Sequence, residues 1–217
     1  DLDVAVEACI NGAFFSTGQR CTASSRLIVT EGIHDRFVEA MKARMVTLKI
    51  GDALAAETHI GPVVDAKQLQ QDEDYIRIAR EEGGEVFGGE RVPGASKGYF
   101  LAPALITGTN NAMRINREEV FGPVASVVKA KDYDEALALA NDTEFGLSAG
   151  ICTTSLRHAT HFKRHVQAGM VMVNVATAGV DYHVPFGGRK GSSYGPREQG
   201  SYAREFYTIV KTAYVAS

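Results

Sequence analysis

The chain has 217 residues, of which 45% are hydrophobic and 23% are charged, as in ordinary soluble globular proteins. Its formal net charge of −3, with acidic and basic residues interspersed, argues against a nucleic-acid or anionic-membrane surface. No apolar run is long enough to span a bilayer and no secretory leader is visible, so we expect a cytoplasmic protein.

Alternating helical and strand patterns run through most of the chain. In chain order they predict a helix over Asp3–Phe15, a strand over Ser25–Thr30, a helix over Ile33–Leu48, a helix from the N-cap Asp65 to Glu82, strands over Glu85–Phe87, Ala104–Thr107 and Val124–Lys129, a helix over Asp134–Asn141 capped by Asp132, a strand over Leu147–Cys152, a helix over Leu156–Val166 and a strand over Met170–Asn174. Strands that alternate with helices favour an α/β fold with a largely parallel sheet.

The last part of the chain differs in composition. Tyr182–Gly200 is rich in Gly, Pro, Ser and charge, which is typical of an ordered loop. Glu205–Ala216 is β-prone and almost uninterrupted, and it predicts a terminal strand. A lone strand needs an edge to pair with, which another subunit or a missing part of the same protein could supply.

Cysteine usage points to one reactive thiol. Cys9, Cys21 and Cys152 fit no disulfide framework or CxxC metal site, and the histidines show no metal-ligand spacing. Cys21 lies in the stretch FFSTGQRCTASSR, where small neighbours leave its sulfur reachable, Gly18 allows a sharp turn and Arg20 could favour a thiolate. A thiolate adds readily to a carbonyl, while a nearby backbone N–H can hold the oxyanion. By composition alone, a buried structural cysteine is the commoner alternative.

Two further stretches carry possible chemistry. In REEVFGPV, Glu118 and Glu119 precede an apolar turn, and a carboxylate there could bind a diol such as a ribose; a solvated acidic turn is the alternative. The stretch VPFGGRKGSSYGPREQG, Val184–Gly200, combines glycines, prolines and charges. It suggests a shaped surface near a site or an interface, with a plain connector as the alternative.

Together, in order and spacing, these stretches resemble the aldehyde dehydrogenase superfamily. The first is similar to the family's cysteine signature, the second to its EE-aliphatic-FGP signature and the third to its PFGG-x-K-x-S-x-x-G-RE-x-G signature. Asn141–Gly146 (NDTEFG) and Gly169–Asn174 (GMVMVN) also resemble family segments. The resemblance covers essentially the whole chain. It implies a three-layer α/β catalytic domain over residues 1–192, followed by a C-terminal oligomerisation β-arm over residues 193–217.

The resemblance also implies NAD(P)-dependent oxidation of a small-molecule aldehyde to a carboxylic acid. Cys21 would add to the aldehyde to form a thiohemiacetal. A hydride would then pass from its carbon to the nicotinamide and leave a thioester, which a Glu-activated water would hydrolyse. Glu119 matches the residue that binds the nicotinamide ribose, and Phe121 the residue that contacts the nicotinamide. Val180 and Phe186 match positions that line the substrate tunnel. Whether the cofactor is NAD or NADP stays open.

Several parts of a complete family member are missing from the 217 residues. The cofactor-binding domain, the oxyanion-hole asparagine, the E-L-G-G stretch with the general base and the first strand of the catalytic domain are absent. We therefore expect an N-terminally incomplete catalytic domain without useful turnover on its own. Assembly into a homo-oligomer through the Glu205–Ala216 strand is implied for the full protein.

The substrate resemblance is to 2-oxoglutarate-semialdehyde (2,5-dioxopentanoate) dehydrogenases, through the segment around Val184–Gly200 and the adjoining tail. The basic pair Arg189-Lys190 could hold the carboxylate of an acidic semialdehyde, or could be a surface pair at a subunit contact. Two other functions stay open: a cofactor-independent thioesterase or esterase acting through Cys21, and a non-catalytic interaction fragment.

Overall fold

The computed structural model describes residues 1–93 and 97–217. The strands are β1 (Arg26–Thr30), β2 (Glu85–Gly88), β3 (Ala104–Thr109), β4 (Val124–Ala130), β5 (Ser148–Ile151) and β6 (Met170–Val173). The helices are α1 (Leu2–Phe14), α2 (Glu31–Met45), α3 (Ala66–Glu81), α4 (Arg114–Arg117), α5 (Tyr133–Asn141), α6 (Leu156–His165) and α7 (Ala203–Tyr207). No helix in the described ranges is both long and apolar enough to cross a membrane.

The larger sheet is mostly parallel and carries helices on both faces. Its spatial order is β1-β4-β3-β2, with β1 and β3 parallel to β4 and β2 antiparallel to β3. Neighbouring residues of β3 point to opposite faces, as the strand period requires. Leu105 belongs to the core formed with α1 and α2, whereas Ile106 packs in the core formed with α3. The predicted three-layer α/β fold is therefore confirmed.

A smaller parallel sheet pairs β5 with β6 and is covered by α6, whose Phe162 packs in one cluster with Ala149 and Val171. Among the described residues, β1 and β5 are each paired on one side only. Residues of both strands line a single cleft of about 930 Å³. The two unpaired strand edges thus border the same open space.

Local sequence signals place the helix starts where they were expected. The carboxylate of Asp65 accepts a 2.8 Å hydrogen bond from the backbone N–H of Gln68 at the start of α3. Asp132 caps α5 in the same way, accepting from Glu135 at 3.0 Å. Both side chains satisfy backbone donors that a helix start leaves unpaired.

The predicted terminal strand Glu205–Ala216 is not formed in this single chain. Residues 205–207 belong to α7, and residues 208–217 have no regular secondary structure. Ile209 is 96% exposed and Tyr214 is 95% exposed, so the apolar side chains of this tail have no cover. The reason is physical: β-prone residues form a strand only against a neighbouring edge, and none is paired with this segment here.

Candidate active site

The loop that carries Cys21 is built by an abrupt reversal after α1. Ser16, Thr17 and Gly18 have φ values of 54°, 57° and 64°, which turns the chain away from the helix axis. A second tight turn follows, in which Ala23 donates a 2.9 Å hydrogen bond to the carbonyl oxygen of Arg20. Cys21 occupies the corner of that turn and is exposed. Its sulfur is therefore open to a reactant.

The backbone around Cys21 also offers an uncommitted donor. Within the described residues, the N–H of Cys21 donates to no carbonyl or side-chain acceptor. A free backbone N–H next to a nucleophile is what stabilisation of a developing oxyanion requires. The local geometry thus supports nucleophilic attack by Cys21 on a carbonyl.

The other two thiols have different surroundings. Burial raises the pKa of the Cys9 thiol to about 12, and burial also raises the pKa of the Cys152 thiol. Both are therefore poor nucleophiles at neutral pH. The guanidinium of Arg20 donates to the carbonyl oxygen of Asn11 at 2.6 Å, and burial lowers its pKa. This hydrogen bond goes to the backbone of α1, and not to the Cys21 sulfur.

A residue far along the chain fixes the Cys21 loop. The hydroxyl of Thr177 donates to the carbonyl oxygen of Thr22 at 2.7 Å, and its oxygen lies 2.8 Å from Ser24 Oγ. Ser148 of β5 also donates to Thr22 O, at 3.5 Å. Sequence analysis missed Thr177, because nothing local in the chain marks a contact over 155 positions.

The two adjacent carboxylates have separate roles. Glu118 accepts hydrogen bonds from Tyr75 at 2.7 Å and from both Nε and Nη2 of Arg114 at 2.9 Å. These bonds hold the pKa of Glu118 at about 2. Glu119 is exposed, forms no hydrogen bond or ion pair within the described residues, and lines the cleft with Cys21. Glu118 anchors the turn, and Glu119 is left free to bind a ligand.

Glu118→Gln is expected to reduce stability modestly at neutral pH, by less than about 1 kcal/mol for so exposed a pair. Because the folded-state pKa lies below its ordinary 4.5, the contribution is complete above pH 4.5 and is lost as the pH falls toward about 2. The free energies of unfolding in urea of Glu118→Gln and the parent chain should therefore differ at pH 6, and the difference should shrink as the pH falls toward 3. Glu119→Gln is the matched control, with an unchanged midpoint. A constant gap between Glu118→Gln and the parent chain would contradict the assignment.

The Cys21 loop and the turn after Glu119 touch through their backbones. A Cβ built on Gly18 would lie 2.1 Å from the carbonyl oxygen of Gly122. Phe121, which lies in the turn between Glu119 and Gly122, has a φ of 60° and is 37% exposed, while its neighbour Val120 is buried. Phe121 lines the same cleft as Cys21 and Glu119. The structure therefore brings these three predicted site residues to one cleft.

The third sequence stretch has a structural contact that was not predicted. The ammonium of Lys190 donates to the carbonyl oxygens of Asn141 and Thr143 at 2.6 and 3.0 Å, and burial lowers its pKa. Lys190 is thus used within the fold, which is neither the carboxylate contact nor the subunit contact expected for the basic pair. The backbones of Phe186 and Glu198 form an isolated antiparallel β-bridge, in which each N–H donates to the carbonyl oxygen of the other residue, at 2.7 and 2.9 Å.

The predicted tunnel residues are not brought to the cleft. Neither Val180 nor Phe186 is among the residues that line it. Their assignment stays a prediction. In the described part of the chain, no group of three or more His, Cys, Asp or Glu side chains is placed to hold a metal ion.

Comparison with known proteins gives one family. A model of the aldehyde dehydrogenase family matches residues 1–213. An alpha-ketoglutaric semialdehyde dehydrogenase of Bacillus subtilis is 42% identical over 99% of this chain and 45% of its own length. A betaine aldehyde dehydrogenase of Mesorhizobium japonicum is 40% identical over 99% of this chain and 44% of its own length.

A solved structure agrees with this assignment. The betaine aldehyde dehydrogenase of Staphylococcus aureus in complex with NAD+ superposes with a TM-score of 0.90 and 32% identity, over 96% of this chain and 42% of that one. The chain thus spans less than half the length of the relatives it matches. The family model over residues 1–213, the identities of about 40% and the common fold together show that the chain belongs to the aldehyde dehydrogenase family.

Proposed function

We propose that this chain carries the catalytic cysteine of an NAD(P)-dependent aldehyde dehydrogenase that oxidises an acidic semialdehyde such as 2,5-dioxopentanoate. The observation that carries the proposal is the exposed Cys21, with its free N–H, in a cleft shared with Glu119 and Phe121. The 42% identity to a semialdehyde dehydrogenase supports the substrate class. Because a betaine aldehyde dehydrogenase is almost as similar, the substrate needs its own test.

The chemistry follows from the placement of these groups. The Cys21 thiolate attacks the aldehyde carbon, and the N–H of Cys21 stabilises the oxygen as a carbon–sulfur bond forms. The chemistry that NAD or NADP would supply when bound is acceptance of a hydride from this carbon, which would leave a thioester on Cys21. Water then cleaves the resulting thioester, which releases the carboxylic acid and restores the thiol. Glu119 would hold the ribose diol and Phe121 the nicotinamide, in keeping with the free carboxylate and the exposed ring beside Cys21.

The cleft between the two sheets supports the proposal that these 217 residues are one part of the working enzyme. Strands β1 and β5 both present unpaired edges to it, and one further parallel strand between them would join the sheets. We assign that strand, the cofactor domain and the general base to the portion of the relatives that this chain does not span. The isolated chain is then expected to show no useful NAD(P)H production.

The exposed tail is the proposed oligomerisation element. Ile209, Val210, Tyr214 and Val215 are each more than 90% exposed, in a segment of high β propensity. Pairing of residues 205–216 with a sheet edge of a second copy would cover these side chains and order the tail as a strand. Cross-linking or sedimentation of the chain with and without residues 208–217 tests this assignment, which fails if the deletion leaves the mass of the assembly unchanged.

Charge discrimination separates the two substrate classes. The anion 2,5-dioxopentanoate and the cation betaine aldehyde differ in sign, and Arg20 is a cationic side chain in the cleft adjacent to Cys21. In the completed enzyme, Arg20→Gln is expected to raise KM for 2,5-dioxopentanoate by roughly tenfold to a hundredfold, as the loss of one charged hydrogen bond would. Because the change also removes the hydrogen bond from Arg20 to Asn11, KM for an uncharged aldehyde of the same length measures that structural effect, and the expected result is a much larger rise for the anion. Lys190→Gln is the comparison variant. If Lys190→Gln loses the preference for the anionic aldehyde and Arg20→Gln keeps it, the assignment of Arg20 is wrong.

A cofactor-independent acyl transfer is the second candidate function, since an exposed thiol with a free N–H is sufficient for acylation. Incubation of the 217-residue chain with an activated ester, without NAD(P), should place one acyl group on Cys21. We expect release of that group to be slow, because the general base is assigned elsewhere. Rapid multiple turnover would favour an esterase. An unreactive Cys21 together with a stable hetero-complex would favour an interaction fragment.

A further inference from the structure

One strip of α3 carries polar side chains that form hydrogen bonds with the turn that carries Glu119. Gln68 and Gln71 both donate from Nε2 to the carbonyl oxygen of Val120, at 3.0 and 2.8 Å. Tyr75 donates to Glu118 at 2.7 Å. With position 72, these residues follow the i, i+3, i+4, i+7 spacing of a single helix face. This polar strip borders the buried apolar face of α3, which carries Leu69, Ile76 and Ala79, and its hydrogen bonds hold residues 118–122.

Asp72 is the unusual member of this face. It is 0% exposed, and its Oδ1 accepts a 2.7 Å hydrogen bond from Gln68 Nε2. Its Oδ2 is buried without a hydrogen-bond partner. The carboxyl group presses against Gly122, where an added Cβ would lie 2.0 Å from Oδ1. A buried carboxylate with one oxygen unpaired is costly, whereas a neutral carboxyl is tolerated.

The contact continues into the nucleophile loop. The carbonyl oxygen of Gly122 packs on Gly18, where a Cβ would lie 2.1 Å away. Gln19 accepts at Oε1 from the N–H of Val64, shortly before α3 begins, at 3.0 Å. Three elements, α3, the 118–123 turn and the Cys21 loop, are thus packed with little free space. A shift of the turn away from Asp72 would move the backbone against which the Cys21 loop rests.

We propose that Asp72 is a positioning residue, whose protonated carboxyl holds the 118–123 turn and the Cys21 loop in the arrangement described above. The proposal rests on the roles assigned to Cys21 and Glu119 in the proposed function. When the proton is lost, the carboxylate gains access to water only if the turn moves away. Asp72 itself need not touch substrate or cofactor.

The surrounding charges favour retention of the proton. Burial is the main cause that raises the pKa of Asp72 to about 7, and Glu73 raises it further, against the opposing hydrogen bond from Gln68. Glu73 is itself paired with Arg91, and on the turn Glu118 is paired with Arg114. The Ser16–Gln19 segment of the Cys21 loop has no charged side chain.

The sign of the pH dependence follows from this raised value. An opened turn would expose Asp72 with its ordinary pKa of 3.8, whereas the closed turn holds it near 7. Between pH 3.8 and about pH 7, Asp72 therefore loses a proton when the turn opens. Opening of the turn becomes more favourable as the pH rises through this range, and its equilibrium constant is constant above it. The expected change in the opening equilibrium is at most about tenfold per pH unit.

Hydrogen exchange of the 217-residue chain tests the proposal without any need for turnover. The amides to follow are those that donate backbone hydrogen bonds in the two segments, namely Gln19, Ala23, Glu118 and Val124. After correction for intrinsic exchange, their protection should fall by roughly tenfold or more between pH 5 and pH 7. In Asp72→Asn it should change less than about twofold, whereas amides of β5 and β6 should behave alike in both proteins. Glu73→Gln, at an acidic neighbour on the same helix, is the matched control; it should keep the fall in protection, displaced to somewhat lower pH because Glu73 raises the pKa of Asp72.

Three outcomes would overturn the assignment: no pH dependence in the parent chain, an unchanged dependence in Asp72→Asn, or its loss in Glu73→Gln. If Asp72→Asn does not fold, the parent chain and Glu73→Gln still decide, because the pH window in the parent belongs to a buried carboxyl. A chain that proves inactive as a dehydrogenase would leave these local readouts intact, so failure of the proposed function is distinguishable.

Discussion

Alanine at position 18 is expected to disable the Cys21 loop without removal of any reacting atom. Gly18 has a φ of 64°, which costs an alanine roughly 1–2 kcal/mol, and its added Cβ would lie 2.1 Å from the carbonyl oxygen of Gly122. Relief of that overlap requires movement of the turn, at a further cost of about 1–3 kcal/mol. We expect Gly18→Ala to lower unfolding free energy by about 3 kcal/mol and to slow acylation of Cys21.

Gly83→Ala is the matched control for this change. Gly83 also has positive φ, at 97°, but an added Cβ there would meet nothing within 4 Å. It should therefore show only the backbone cost, about 1–2 kcal/mol, with normal Cys21 reactivity. Urea unfolding and the rate of acylation by an activated ester give both comparisons. Equal effects of the two variants would mean that the Gly18–Gly122 contact does not position the loop.

Cys21→Ser is expected to abolish covalent reaction with an activated ester, with a loss of about a thousandfold or more in acylation rate. The serine hydroxyl occupies nearly the same space but is a far weaker nucleophile without a partner base. Stability should stay within about 0.5 kcal/mol, because the side chain is exposed. Mass spectrometry of the acylated peptide identifies the modified residue.

Cys152→Ser serves as the control for a second surface thiol. Burial raises the pKa of Cys152, so its replacement should leave the acylation rate unchanged. Acyl groups found on Cys152 in the parent chain, or acylation that persists in Cys21→Ser, would contradict the assignment of the nucleophile.

Most of the fold could be predicted because its signals are local. The caps Asp65 and Asp132 and the strand at Val124–Ala130 depend on residues within a few positions of each other. The terminal strand stays a prediction, because it was expected only against a partner edge and the described part of this single chain offers none to residues 208–217. Its β propensity is local, whereas strand formation depends on a partner edge that the sequence cannot place.

Predictions about the site divide in a similar way. The exposed Cys21 and its turn could be predicted from small neighbours and Gly18, and the structure adds Glu119 and Phe121 to the same cleft. The clamp of Lys190 on two carbonyl oxygens could not, since a lysine beside glycines is equally compatible with a ligand contact. Thr177 could not be found either, because its contacts are long-range.

The polar face of α3 is an intermediate case. The buried side of this helix carries Leu69, Ile76 and Ala79 at helical spacing, as an amphipathic helix requires, and Asp72 is the polar exception on that side. A carboxyl group at a position of apolar spacing is a visible signal of a packed polar contact. Its partner, the 118–122 turn, became clear only from the hydrogen bonds to Val120 and Glu118.

We propose Cys21 as the nucleophile of an NAD(P)-dependent aldehyde dehydrogenase site that this chain carries in part. The most direct test joins this chain to the portion of the Bacillus subtilis relative that it does not span and measures NAD(P)H formation with 2,5-dioxopentanoate. We expect turnover by the fusion, none by the 217-residue chain alone, and none by the fusion with Cys21→Ser. Turnover by the isolated chain, or by the Cys21→Ser fusion, would contradict this proposal.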